Sequence, residues 1–248
     1  IPCEFVVNNG KQVKFEVEGE PEKPYVIDPY LDYSTYLGGE ENNEKAVDVN
    51  YVENTNTDKN FVYVGGFTSS SDFPTTSGVA QPTKSGNQDA FLSKFTANGQ
   101  TLVWSTFYGN SEEDYLTGLT SYDRGTKDIF PAIIGHTKSN SLPGTSSSSF
   151  QQSSKGKFDI YIAVFDNGNG TVNSATLIGG TENDFGGNII QDTDQEYVFT
   201  GWSYSKEDPS SPKRDRYPTT QNAPFQSKSS TSIGSLQSDA IFTKMTIS

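Results

Sequence analysis

The chain has 248 residues, 32% of them hydrophobic and 12% aromatic, with a formal net charge of −13. That acidic excess excludes the polyanionic partners, nucleic acid and anionic membrane, and no apolar run is long enough for a transmembrane helix, so membrane insertion by that route is excluded too. A core of few but large side chains, set among Ser, Thr, Asn and Gly, favours thin β-sheets and turns, and no segment of ten or more residues carries helical apolar spacing.

The chain opens at Ile1 rather than Met, as a processed product or a fragment would. Its one cysteine, Cys3, has no partner within the chain, so it is either an unpaired thiol or a link to another molecule. Residues 4–7 and 11–18 flank Asn8-Asn9-Gly10 and predict a hairpin, because Asn-Gly supplies the positive φ angles of a tight primed turn. In its second strand Val13, Phe15 and Val17 alternate with Lys14, Glu16 and Glu18, the period of a half-buried ribbon. A polar turn at 19–23 and an extended approach at 25–29 follow. Residues 1–29 are thus an N-terminal hairpin and lead-in, and residues 30–248 a repeat domain.

The repeat is explicit. Tyr33-Ser34-Thr35-Tyr36-Leu37-Gly38-Gly39 returns as Trp104-Ser105-Thr106-Phe107-Tyr108-Gly109-Asn110 and as Ser174-Ala175-Thr176-Leu177-Ile178-Gly179-Gly180, its threonines 71 and then 70 residues apart. Self-similarity at a fixed period sets the architecture before any local signal. The units span about 40–110, 111–180 and 181–248. In the first, strands are expected at 45–52, 61–68 and 89–95, with a polar turn at 54–60 and Phe73-Pro74-Thr75-Thr76 in a Ser/Pro-rich loop. The second has strands at 116–121, 130–137 and 159–165, Pro131 implying a sheet edge or a strand start. The third has strands at 187–191, 197–203 and 239–245, with an insertion at 206–216 that stretches the step from Asp159 to Asp239. With the returning stretch, each unit offers about four short strands, the content of one propeller blade. The expected fold is all-β: tandem four-stranded β-propeller-type blades behind an N-terminal hairpin. Gly66, Gly135 and Gly201 recur mid-strand, which points to crowding where blades converge on a central axis.

Residues 33–39, Tyr63 to Thr68, Phe73 to Thr76 and Asp89 to Lys94 resemble the bacterial β-propeller repeat family, and Val26-Ile27-Asp28-Pro29 resembles the segment before its first repeat. The likeness covers about residues 24–245 and decays in the second and third units. It implies a secreted or cell-surface location and an architecture, not a reaction.

The strand count does not close. Propellers typically need four to eight blades, the final unit has no strand after Met245, and the leading strand at 33–37 has no unit of its own. Either the early strand completes the last blade within the chain, or the hairpin, residues 25–27 and 33–37 make a fourth sheet, or one chain's open end accepts a strand from the next. The last is heterologous and runs on into a filament.

Few residues are candidates for chemistry. His136, the one histidine, aligns with Phe67 and Trp202 and reads as a strand side chain; nothing local completes a catalytic triad, and zinc spacing is impossible. Glu40-Glu41, Glu112-Glu113-Asp114 and Glu182-Asn183-Asp184 follow the recurring stretch; they are calcium ligands, or turn-forming, solvated groups that shield sheet edges, and their recurrence argues against a catalytic pair. Gly65-Gly66 lies in a strand and is no phosphate loop. Tyr108, Tyr122, Trp202 and Tyr204 are candidates for stacking on sugars, while Trp104 and Trp202 also suit core or rim packing. Asn169-Gly170-Thr171 is an N-glycosylation sequon in an expected turn, and the Ser/Thr/Pro tracts at 68–76, 139–154 and 227–235 are O-glycan carriers or plain loops. The expectation is a non-catalytic extracellular structural or adhesive protein with no cofactor, whose partners are like chains, in an oligomer or filament, and glycans. A lectin-like module is the alternative, and a carbohydrate-active enzyme on the same scaffold the third reading.

Overall fold

The computed structural model describes residues 3–8, 12–17, 33–40, 43–53, 60–121, 130–192, 195–205, 216–220 and 238–247. The Asn9-Gly10 turn, the turn at 19–23, the approach at 25–29, Glu41, the turn at 54–59, Tyr122, most of the insertion (206–215) and the tract at 227–235 lie outside the described residues. The chain divides into two compact units, Ile1–Ser34 and Thr35–Ser248.

In the first unit β1 (Cys3–Asn8) and β2 (Gln12–Val17) pair antiparallel from Cys3↔Val17 to Asn8↔Gln12. Among the described residues they pair only with each other, and residues 25–27 lie outside the described residues.

The second unit is a series of antiparallel meanders, with no helix among the described residues. β3 (Lys45–Val52), β4 (Phe61–Thr68), β5 (Asp89–Thr96) and β6 (Leu102–Tyr108) form the first sheet in chain order. β7 (Asp114–Thr120), β8 (Ala132–Thr137), β9 (Asp159–Phe165) and β10 (Val172–Ile178) form the second. β11 (Asp184–Gln191), β12 (Glu196–Ser203) and β13 (Asp239–Thr246) form the third, which has three strands among the described residues. Two of the recurring stretches are the fourth strands β6 and β10. The first copy is not a strand: residues 33–39 carry no ladder pairing.

The sheets pack face to face. Tyr63, Leu92, Trp104 and Tyr108 of the first sheet meet Leu116, Ile133, Tyr161 and Phe165 of the second in one buried cluster. Ile134 and Ile162 of the second meet Ile189, Tyr197 and Phe199 of the third in another. Each such large side chain contributes about 1.5–3 kcal/mol when removed from water, which is how a chain poor in apolar residues still holds a core. Polar contacts lock the same junctions. The Leu119 N–H donates to Asp48 Oδ2 at 2.9 Å, and the Trp104 indole N–H donates to Asn167 O at 2.8 Å. The Tyr63 hydroxyl and the Lys94 amine also reach Asn167.

The recurring glycines are crowded, but not by an axis. A β-bulge interrupts the first strand of every sheet, between Ala46 and Asp48, Leu116 and Gly118, and Gly186 and Ile189. The bulge drives a carbonyl against the neighbouring strand: a Cβ at Gly66 would lie 2.0 Å from Lys45 O, at Gly135 1.8 Å from Tyr115 O, and at Gly201 2.2 Å from Phe185 O. Glycine is required within each sheet, opposite its own bulge. Pro131 precedes β8, whose neighbours are β7 and β9, so it marks a strand start and not an edge.

Candidate functional site

The turn that carries the chain from one sheet to the next is built around buried carboxylates. In the first sheet Asp89 accepts from Ser85 N–H (2.8 Å), Gly86 N–H (2.9 Å) and the Gln81 amide (2.7 Å), and Gln81 Oε1 accepts from Gly109 N–H (3.1 Å). Thr106 holds the same glutamine by accepting from Gln81 N–H at 2.9 Å. The second sheet repeats the glutamine contacts with Asp159, Gln151, Gly179 and Thr176, and Lys155 N–H donates to Asp159 as Ser85 N–H does to Asp89. Beyond the turn, Asp114 accepts from Asn110 N–H (2.8 Å), from Ser139 Oγ (3.0 Å) and from the Thr137 hydroxyl; Asp184 takes Gly180 N–H and Ser205 Oγ, both at 2.7 Å. The spacing of Thr106 and Thr176 therefore reflects a hydrogen-bonded corner.

These contacts correct the reading of the acidic clusters as solvated at Asp114 and Asp184, while Glu40 and Glu112 are exposed as that reading expects. Asp89, Asp114, Asp159 and Asp184 are fully buried, whereas Glu113 and Glu182 point outward to Lys138 (2.7 Å) and Lys157 (3.0 Å). Burial raises the Asp114 and Asp159 carboxyls to about 6, with the neighbouring charges of Asp89 and Asp184 acting in the same direction. Among the described residues no group of three or more His, Cys, Asp or Glu is placed to hold a metal ion.

His136 stacks on Tyr115 at 5.2 Å and meets Phe158 and Phe185 edge-on, and burial lowers its pKa to about 4. It is the middle of a half-exposed line of rings across all three sheets: Phe67–Tyr115 at 5.1 Å, then His136, Phe185, and Trp202 stacked on Phe185 at 5.3 Å. Trp202 is 40% exposed. Trp104 and Tyr108 are core residues, closed to any sugar. Asn169 is exposed in the β9–β10 turn, its Oδ1 accepting from Thr171 N–H (3.0 Å) and Oγ1 (2.8 Å). In the Ser tract, Ser139 is buried against Asp114, so that tract is not a free loop throughout. A cleft of about 100 Å³ lies between Ser146, Ser149, Ser174 and Ile247, well under the roughly 300 Å³ at which small-molecule pockets begin.

The feature that sets one place apart is the free edge of the third sheet. β5 is sealed by β6 and β9 by β10, and both are buried along both faces. β13, their counterpart, pairs only with β12 among the described residues and alternates between half-buried and exposed. Phe242 is 75% exposed where Leu92 and Ile162 are fully buried. At the other end, Tyr33 of the first recurring stretch is 44% exposed against 2% for Trp104, and Tyr36 is 103% exposed against 0% for Phe107 and Leu177. No local sequence signal marks these as special; only the tally of repeats against strands does. No family model matches the chain, and no curated protein matches it.

Proposed function

We propose that the chain is a non-catalytic extracellular structural or adhesive protein of the β-propeller repeat type, whose copies join head to tail. The observation that carries this is β13, a strand whose edge is unmatched among the described residues and which leaves Phe242 75% exposed, where its two counterparts are covered. An edge of that kind is a template for another chain unless it is filled. The first recurring stretch, left outside any sheet, is the matching segment. The likeness over residues 24–245 and the acidic, Ser/Thr-rich composition support a secreted or cell-surface location. Asn169 is the position at which a glycosylating secretory route would add a glycan, being exposed in its turn. No catalytic role is assigned to His136 or to the buried aspartates, which face rings or turns. Sedimentation of native material tests the reading: species larger than one chain are expected, and a single peak at monomer mass would overturn it.

One observation favours a second reading, a lectin-like module. The line of rings from Phe67 to Trp202 offers aromatic faces of the sort that stack on sugars. Selective hits on a glycan array, lost in Trp202→Ala, would favour it over a purely structural role.

A further inference from the structure

We infer that residues 33–37 of a second copy complete the third sheet in one defined register, forming a blade shared between two chains. This rests on the self-association proposed above and specifies its surface.

The donor is already shaped for the part. In β6 the Thr106 hydroxyl donates to Phe107 O at 2.8 Å, and in β10 Thr176 donates to Leu177 O at 3.2 Å; Thr35, outside any strand, donates to Tyr36 O at 3.2 Å. After β6 the Asn110 N–H donates to Asp114 at 2.8 Å, and after β10 Gly180 donates to Asp184 at 2.7 Å; Gly39 likewise donates to Glu44 at 2.8 Å. Leu37 packs on Phe73, Phe91 and Phe107 of the first sheet, as Tyr108 packs on Tyr161 and Phe165 of the second. The segment thus sits on the first sheet as β6 sits on the second, with the rest of its own sheet missing.

Among the described residues the acceptor edge of β13 is unpaired. The first two sheets pair Leu92↔Thr106 and Ile162↔Thr176, with Phe91↔Phe107 and Tyr161↔Leu177 beside them. The same register on β13 sets Phe242 opposite Thr35, Ile241 opposite Tyr36 and Ala240 opposite Leu37. Tyr36 then covers Ile241, as Phe107 covers Phe91.

The flanking faces fit the same occupant. On the third sheet Ile190, Trp202 and Phe242 are 59%, 40% and 75% exposed. On the first, Val49 and Tyr51 are 63% and 56% exposed. Their counterparts in the two internal junctions, Leu92 and Ile162 for Phe242 and Leu119 for Val49, are buried. A second copy that brings its residues 33–37 to β13 brings its first sheet onto this face, so that strand and face close together. The contact is heterologous and repeats from copy to copy.

Cysteines test the register, in a Cys3→Ser background. One preparation carries Thr35→Cys and the other Phe242→Cys. Paired residues on neighbouring strands lie within disulfide reach. Mixing under mild oxidation should give a band at twice the chain mass on a non-reducing gel, and Ser34→Cys mixed with Phe242→Cys should stay at background. Phe242→Lys should abolish assembly while leaving the melting temperature of the single chain unchanged, since Phe242 is 75% exposed there. Assembly without this cross-link, or with the shifted pair linking equally well, overturns the register and leaves self-association standing. Absence of assembly in the unmodified chain overturns both.

Discussion

Asp159 and Gly135 show how single residues set the stability of this repeat. The unfolded chain releases the Asp114 and Asp159 protons near its ordinary value of 3.8, the folded chain near 6. Between those values the folded state holds more protons, so their stabilising contribution is full below about pH 4 and is lost as pH rises through about 6. His136 acts oppositely: the unfolded chain takes a proton below 6.5, the folded one only below about 4, so its contribution is lost as pH falls across that window. The two effects overlap in a wild-type profile, and Asp159→Asn separates them. The amide keeps an acceptor for Lys155 N–H and cannot ionise. At pH 7.5 this variant should be more stable than wild type by roughly 1–3 kcal/mol, the upper end being the full shift converted, and at pH 4.5 the difference should close. An equal loss at both pH values would contradict the account. At Gly135 the usual sign of a strand Gly→Ala change inverts. Alanine normally gains about 0.5–1 kcal/mol, but here its Cβ would meet a backbone carbonyl at 1.8 Å. A loss of about 1–3 kcal/mol or more is expected by chemical denaturation, against little change for Gly168→Ala, whose Cβ meets only Asp166 Oδ1 at 3.1 Å.

At the scale of elements, Trp104 joins two sheets. It is buried against Tyr63 and donates to the β9–β10 turn at Asn167 O. Trp104→Ala should cost about 3–5 kcal/mol. The remaining tryptophan, Trp202, lies in the third sheet, so its fluorescence reports whether that sheet unfolds with the others. Coincident transitions by fluorescence and circular dichroism are expected; an early fluorescence transition would mean that the third sheet melts by itself. Much of this architecture was legible in the sequence. The spacing of Thr35, Thr106 and Thr176 and the strands around Gly66, Gly135 and Gly201 place the sheets to within a few residues. Three things were not legible. A bulge leaves no fixed mark on composition, so the glycines suggest a central axis where a carbonyl of the paired strand is what crowds them. Burial of Asp114 and Asp184 depends on Thr137, Ser139 and Ser205, 21 to 25 residues downstream, beyond the reach of local pattern. Residues 33–37 align with β6 and β10 on their shared threonine, yet have no ladder, because strand structure needs a partner and sequence similarity does not supply one.

For the molecule as a whole, the account turns on sheet completion. Among the described residues two sheets carry four strands and the third carries three, while the strand-like stretch at 33–37 stands outside every sheet. Edge and segment lie at opposite ends of the repeat, and each is exposed only where its internal counterparts are covered. The most direct measurement is cryo-electron microscopy of native assembled material at a resolution that separates strands. The account predicts a fibre with one chain per repeat, in which β13 is flanked by residues 33–37 of the next chain, Thr35 opposite Phe242. Isolated single chains with that edge uncovered, or fibres in which another segment lies along β13, would contradict it.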